Sequence, residues 1–146
     1  MFAVLQYNEM KPRAICVADG ALINGTPVAY AVAATGRKLS KATAHTKDIV
    51  TNAMNFDGVN AVFEQTDAEH EAIADGALCI RVPLEKGDII ATTELTPTSL
   101  SVGDPLTVDA GKYVKDTAGT PVGDLVYGGV YENPWGLEMY IVEVVA

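Results

Sequence analysis

The segment His70-Glu71-Ala72-Ile73-Ala74 begins as a zinc-protease helix begins, with an imidazole followed by a carboxylate. Zinc needs a second imidazole one turn later on the same face, and that position holds Ala74. His70 therefore reads as a surface residue on a short acidic helix, and His45 has no Cys or carboxylate at ligand spacing. Serine appears only as Ser40, Ser99 and Ser101, none in Gly-x-Ser-x-Gly and none in an arrangement that suggests a triad. No Gly-x-Gly-x-x-Gly or phosphate-binding loop is present. Asp104, Asp109 and Asp116 are too dispersed for a calcium loop and read as turn residues bonding their own backbone. A carrier role for biotin or lipoate needs a lysine between methionines on a hairpin tip. Asn52-Ala53-Met54-Asn55 lacks the lysine, and Glu85-Lys86-Gly87-Asp88 lacks the methionines. The sequence thus assigns no catalytic residue, no cofactor and no metal. Acid–base pairs among its 19 carboxylates stay open, because spatial pairing is invisible at this level.

Charge points the same way. The chain of 146 residues has a net charge of −9, with ten basic residues that form no stripe. Nucleic-acid binding rests on clustered Lys and Arg that release counterions, so a phosphate backbone is not expected as partner. The nearest approach to a cluster, Arg37-Lys38 with Lys41 and Lys47, reads as a solvated loop. Residues 1–75 carry six cations and nine carboxylates, residues 76–146 four and ten. No apolar run approaches the ~20 residues of a membrane helix. The start, Met1 to Tyr7, has no basic region ahead of its short apolar stretch and reads as cytoplasmic synthesis rather than export. Cys16 and Cys79 sit in apolar runs and read as buried free thiols, with a disulfide between them left open.

The elements are short strands. Gly-Asp pairs at 87–88, 103–104 and 123–124 punctuate apolar runs, and both residue types favour tight reversals. One all-β domain over 14–146 is expected, preceded by a segment 1–13. Its apolar part, Phe2, Val4, Leu5 and Tyr7, fits either an edge strand on its own domain or an arm that adds a strand to a neighbouring subunit. Ile15 and Val17 alternate, Asn24-Gly25 signals a hairpin turn, and Val28, Tyr30 and Val32 face away from Ala29, Ala31 and Ala33. An all-alanine face permits close approach of another backbone. The stretch 37–58 fits a helical face through Thr46, Ile49, Val50, Ala53 and Met54 and a strand through Ile49-Val50-Thr51 equally well. Val59 to Glu64 reads as a strand, and Thr66-Asp67-Ala68-Glu69 with Gly76 predicts a short helix over 67–75. Leu78 to Val82 and Ile89 to Thr93 are expected to pair around 85–88. Leu106–Val108 and Lys112–Val114 form a second expected hairpin. Val122 to Tyr131 carries a bulge at Gly128-Gly129, and Leu137 to Val145 is apolar on both faces, as a central strand or one buried by a partner would be.

Tyr127, Tyr131, Trp135 and Tyr140 fall within fourteen residues. Core packing beside a turn accounts for them; an interface anchor through Tyr127, Tyr131 and Trp135 is the functional alternative, and sugar stacking a third.

Three segments carry a likeness: Val17-Ala18-Asp19-Gly20-Ala21-Leu22-Ile23-Asn24-Gly25-Thr26-Pro27-Val28, Ser101-Val102-Gly103-Asp104-Pro105-Leu106-Thr107-Val108 with Gly111-Lys112-Tyr113, and Pro121-Val122-Gly123-Asp124-Leu125-Val126. They resemble the small decoration (cement) proteins of tailed-bacteriophage capsids, over about half of the chain. The resemblance implies a β-tulip-like barrel or sandwich with one short helix, no catalysis, and a homotrimer on the outer capsid surface. There it would bind the major capsid protein and clamp neighbouring capsomers. It contains no counterpart for 37–76. The expected interface is Phe2, Val4, Leu5 and Tyr7 together with Tyr127, Tyr131 and Trp135. A second likeness, Arg81 to Leu95, is to the small β-clip domain of sugar-acid dehydratases and pilus-assembly proteins. The alternatives outside capsid binding are a tail or fibre module for host glycans and a small trimeric all-β enzyme with a site between subunits, for which Arg81 and Arg37 are the candidate arginines.

Overall fold

The computed structural model describes residues 2–7, 14–52, 72–132 and 136–146. These residues are strands and turns throughout. Two larger sheets carry the fold, with two ribbons attached. In chain order the strands are β1 Phe2–Gln6, β2 Ala14–Ala18, β3 Leu22–Ile23, β4 Val28–Ala33, β5 Gly36–Lys41, β6 Asp48–Asn52, β7 Ala72–Ile73, β8 Leu78–Pro83, β9 Ile89–Thr92, β10 Leu106–Asp109, β11 Lys112–Lys115, β12 Leu125–Glu132 and β13 Glu138–Val144. One sheet runs β4-β5-β2-β8-β6 and the other β1-β9-β13-β12; the ribbons are β10-β11 and β3-β7. Neither sheet closes into a barrel among the described residues.

Alternation explains the packing. On the five-stranded sheet, Cys16, Ala18, Leu39, Val50 and Cys79 face one way and bury against Leu22 and Ile73 of the β3-β7 ribbon. Ile49, Ile80 and Val82 face the other way. They join Phe2, Ile90, Leu125, Tyr127, Val142 and Val144 of the four-stranded sheet and Leu106, Val108 and Tyr113 of the β10-β11 ribbon in the main core. Removing that apolar area from water is the main stabilising term.

Several expectations need correction. Ala72 and Ile73 pair antiparallel with Ile23 and Leu22, so the helix expected over 67–75 does not extend through them; residues 67–71 lie outside the described residues, as does the strand expected at 59–64. Asn24-Gly25 does turn the chain, with the Thr26 N–H donating to Ile23 O, but it connects strands of different sheets rather than a hairpin. Its geometry serves packing: Gly25 has φ +85°, and a Cβ there would lie 2.8 Å from Phe2 Cβ. β9 does not pair back on β8. The turn at 85–88 passes the chain from one sheet to the other, and β9 lies between β1 and β13. In the ambiguous stretch 37–58, residues to 41 belong to β5 and 48–52 form a strand paired with β8, while 53–58, with Ala53 and Met54, lie outside the described residues. β13 is central in its sheet, which accounts for its two apolar faces, and β12 shifts register between Tyr127 and Gly129 as the paired glycines suggest.

The three Gly-Asp pairs split into two uses. Each glycine has positive φ, between 76° and 96°. Asp88 Oδ2 accepts the Glu85 N–H at 2.7 Å and Asp104 Oδ2 accepts the Ser101 N–H at 2.9 Å, so both cap their own turns. Asp124 instead turns toward His45.

Candidate interaction surface

β4 and β5 form a hairpin in unbroken register from Val28↔Lys41 to Ala33↔Gly36. β4 is the outermost strand of its sheet. Only its first residue is buried; Tyr30 is half-buried, and Ala29, Ala31, Val32 and Ala33 are exposed, Val32 at 73%. Proteins usually blunt such an edge with a charge, a proline or a bulge, and β4 has none of these between Val28 and Ala33. In an antiparallel pair, alternate residues of the outer strand turn both backbone polar groups outward.

The register also lines up cross-strand rows. Ala31, Lys38, Val17 and Leu78 follow one another across β4, β5, β2 and β8 on one face, and Ile15 stands on that face as well. Leu78 is 61% exposed and Ile15 65%. This part of the sheet lies beyond the reach of the four-stranded sheet, whose contacts fall on Ile49, Ile80 and Val82.

The hairpin is basic on an acidic chain. Between Gly20 and Lys47 there are four cations (Arg37, Lys38, Lys41 and Lys47) and no carboxylate, leaving six cations against 19 carboxylates elsewhere. Arg37, Lys38 and Lys41 stand on strand β5, which corrects the reading of this cluster as a loop. Lys38 and Arg37 lie on opposite faces, beside Ala31 and Val32 respectively. Three other cations, Arg81, Lys115 and Lys47, are paired locally. Arg81 Nε donates to Asp48 Oδ2 at 2.8 Å and its guanidinium lies 4.5 Å from the Tyr30 ring centroid. Lys115 Nζ is 3.0 Å from Asp104 Oδ2, and Lys47 Nζ is 3.8 Å from Asp124 Oδ2. No ion pair to Arg37, Lys38 or Lys41 is found among the described residues. The sequence carried this signal as a 28-residue gap in acidic residues, which a count of cations alone passes over.

The residues expected at an interface are dispersed. Phe2 is buried in the main core. β1 pairs with β9 of its own chain, with Val4 43% and Leu5 37% exposed and Tyr7 half-buried against the core. Tyr127 is buried in that core and Tyr131 is half-buried on β12. Trp135 lies outside the described residues. A shallow groove of about 310 Å³ borders β1, lined by Gln6, Lys86, Gly87, Ile89, Glu143, Val144 and Val145; Gln6 Nε2 donates to Gly87 O across it.

Titratable groups converge at one further place. His45 Nε2 lies 2.8 Å from Asp124 Oδ1, without the alignment of a hydrogen bond. Lys47 reaches both Asp124 and the Ala146 carbonyl oxygen, at 3.2 Å. The cluster joins the β5-β6 connection to the start of β12 and to the chain end, so it fastens one sheet to the other. No group of three metal-ligating side chains occurs among the described residues. Burial raises the Cys79 thiol from 9.0 to about 11, with Cys16 adding to the effect, and Cys16 is raised mainly by burial. The two are free, buried and directly opposite across β2 and β8. Tyr113 is raised by burial, and its hydroxyl has no hydrogen-bond partner among the described residues. The Ser101 N–H and Lys115 hold Asp104 below its usual value.

The sequence matches no family model and no curated protein.

Proposed function

We propose that this protein is a capsid decoration protein: it binds the outer surface of a phage head and stabilises the shell through contacts to the major capsid protein, as a homotrimer. The mainly β character agrees with what the sequence resemblance implies, and the single observation that carries a binding role is the open β4-β5 edge. It offers backbone groups, exposed apolar side chains and cations that have no partner among the described residues, all on one hairpin. An exposed strand edge of this kind, flanked by charge, is what an extended segment of a macromolecular partner can pair with. The action is mass action. A protein that binds only the assembled shell stabilises it according to free concentration and affinity, and a site spanning several capsomers gains by multivalency.

Light scattering of the purified protein, alone and then with empty capsid shells, tests the reading. A trimer that co-sediments with shells supports it. A monomer that ignores shells overturns it.

A further inference from the structure

We infer that β4 is a docking edge for an extended, carboxylate-bearing segment of the partner protein, which adds as a sixth strand beside Val28–Ala33. The inference rests on the binding role proposed above and names the chemistry of what is bound.

The backbone supplies the first part. β4 is terminal in its sheet, keeps one register over six residues, and makes no backbone hydrogen bond outside its own sheet among the described residues. The other edges are treated differently. β6 is covered by the 24–27 turn, where the Gly25 N–H donates to Val50 O and the Val50 N–H to Thr26 O. The first half of β12 is covered by residues 103–105: the Gly103 N–H donates to Tyr127 O and the Tyr127 N–H to Asp104 O. β1 shifts register between Val4 and Gln6. Of these four edges, only β4 combines length, regularity and, from Ala29 on, the absence of a cover among the described residues.

Charge supplies the second part. A strand added beside β4 lies about 4.8 Å from it and about 10 Å from β5, so the long side chains of β5 can cross β4 to meet it. Lys38 lies beside Ala31, whose single methyl leaves its path over β4 open, and Arg37 lies beside Val32 on the opposite face. A segment with carboxylates on both faces would pair with each. Charge-assisted hydrogen bonds of this type are the stronger ones.

The same facts select a different protein over a second copy. An antiparallel β4–β4 contact would set two hairpins side by side, each with three cations and no carboxylate. Each other described strand at a sheet or ribbon edge carries at most one carboxylate, so none offers an acidic strand to β4.

The test uses the full chain and labelled eight-residue peptides that repeat Val-Glu-Glu-Val, which puts glutamates on both faces of an extended strand, with the corresponding Val-Lys-Lys-Val peptide as control. Fluorescence anisotropy should show binding of the glutamate peptide only. Amide hydrogen exchange should show new protection confined to β4. The double variant Arg37→Glu, Lys38→Glu should bind about tenfold or more weakly, with an unchanged melting temperature. A single Ala31→Leu variant, which places uncharged bulk in the path of Lys38, provides an independent check and should also weaken binding. Equal binding by the double variant, protection away from β4, no binding by the wild type, or a concentration-dependent dimer that protects β4 without peptide would each overturn the inference. Shells separate the two readings. If wild type and double variant co-sediment equally, strand addition fails while the binding role stands. If the peptide protects β4 but shells are ignored, the edge inference stands and the capsid reading fails.

Discussion

The core between the sheets and the β4-β5 hairpin are made of the same material and end in opposite states. Ile49, Ile90, Leu125 and Val142 in the first are fully buried, while Val32, Ile15 and Leu78 on the second sheet's open part are exposed by more than half. All of them sit on β-strands, whose side chains point alternately to two faces. Alternation creates two faces, but only a second layer decides whether a face is covered. In the core that layer is the four-stranded sheet and the β10-β11 ribbon. Over the hairpin, the described residues provide a cover on the Leu39 side through Leu22 and Ile73 that stops short of Val32 near the tip, and none on the Ala31 side. The difference separates residues that hold the fold from residues available to a partner.

The largest expected effect lies in the core. Ile49→Ala removes a fully buried side chain from the contact between β6 and the opposite sheet, and should cost about 2–5 kcal/mol by urea unfolding. A cost below about 1 kcal/mol would mean that the two sheets are not held together there. Gly25→Ala is next. The residue stands at φ +85° and its new methyl would meet the Phe2 side chain, so the left-handed conformation alone costs roughly 1–2 kcal/mol before any displacement of β1. Unchanged stability would show that Phe2 does not pack on this turn.

These effects bear on how much of the molecule could be read from its sequence. Turn chemistry was legible: each Gly-Asp corner has the positive φ that glycine permits, and Asp88 and Asp104 bond their own turns. The β4 alternation, the β10-β11 hairpin and the β12 bulge were legible for the same local reason. Partner choice was not. Asn24-Gly25 and Glu85-Lys86-Gly87-Asp88 are good turns, yet each leads from one sheet to another, which depends on contacts far along the chain. The ending of the expected helix failed likewise, because pairing of Ala72 and Ile73 with β3 outweighs local propensity. The His45–Asp124 contact spans 79 positions and had no local signal. The cations of β5 were visible as a charge cluster, but their strand geometry was not.

A smaller effect concerns pH and the covered face of the five-stranded sheet. Cys79 has its ionisation raised from 9.0 to about 11 by burial, so its thiol is favoured in the folded state. The unfolded chain releases this proton first. Stability is therefore fully present below about pH 9 and falls as pH rises through about 11. Cys79→Ala should flatten part of that decline in urea unfolding followed between pH 8 and 11. An unchanged slope would mean that Cys79 is solvated and the cover by Leu22 and Ile73 is loose. Thiol labelling at neutral pH should likewise be slow in the folded protein and reach both cysteines after denaturation.

The smallest expected effect is the sharpest test of the contrast. Val32→Thr keeps the branched shape at a site that is 73% exposed and replaces a methyl by a hydroxyl that water can solvate. It should change stability by no more than about 0.5 kcal/mol, as exposed substitutions do. The same exchange at fully buried Val142 would place a hydroxyl in the main core and should cost about 1–3 kcal/mol, because valine and threonine are isosteric but not equivalent in apolar surroundings. Comparing the two in one denaturation series cancels the propensity of threonine for strands, which is shared. If Val32→Thr costs as much as Val142→Thr, the hairpin face is covered in solution. The edge would then be occupied by the protein's own assembly rather than open to another protein.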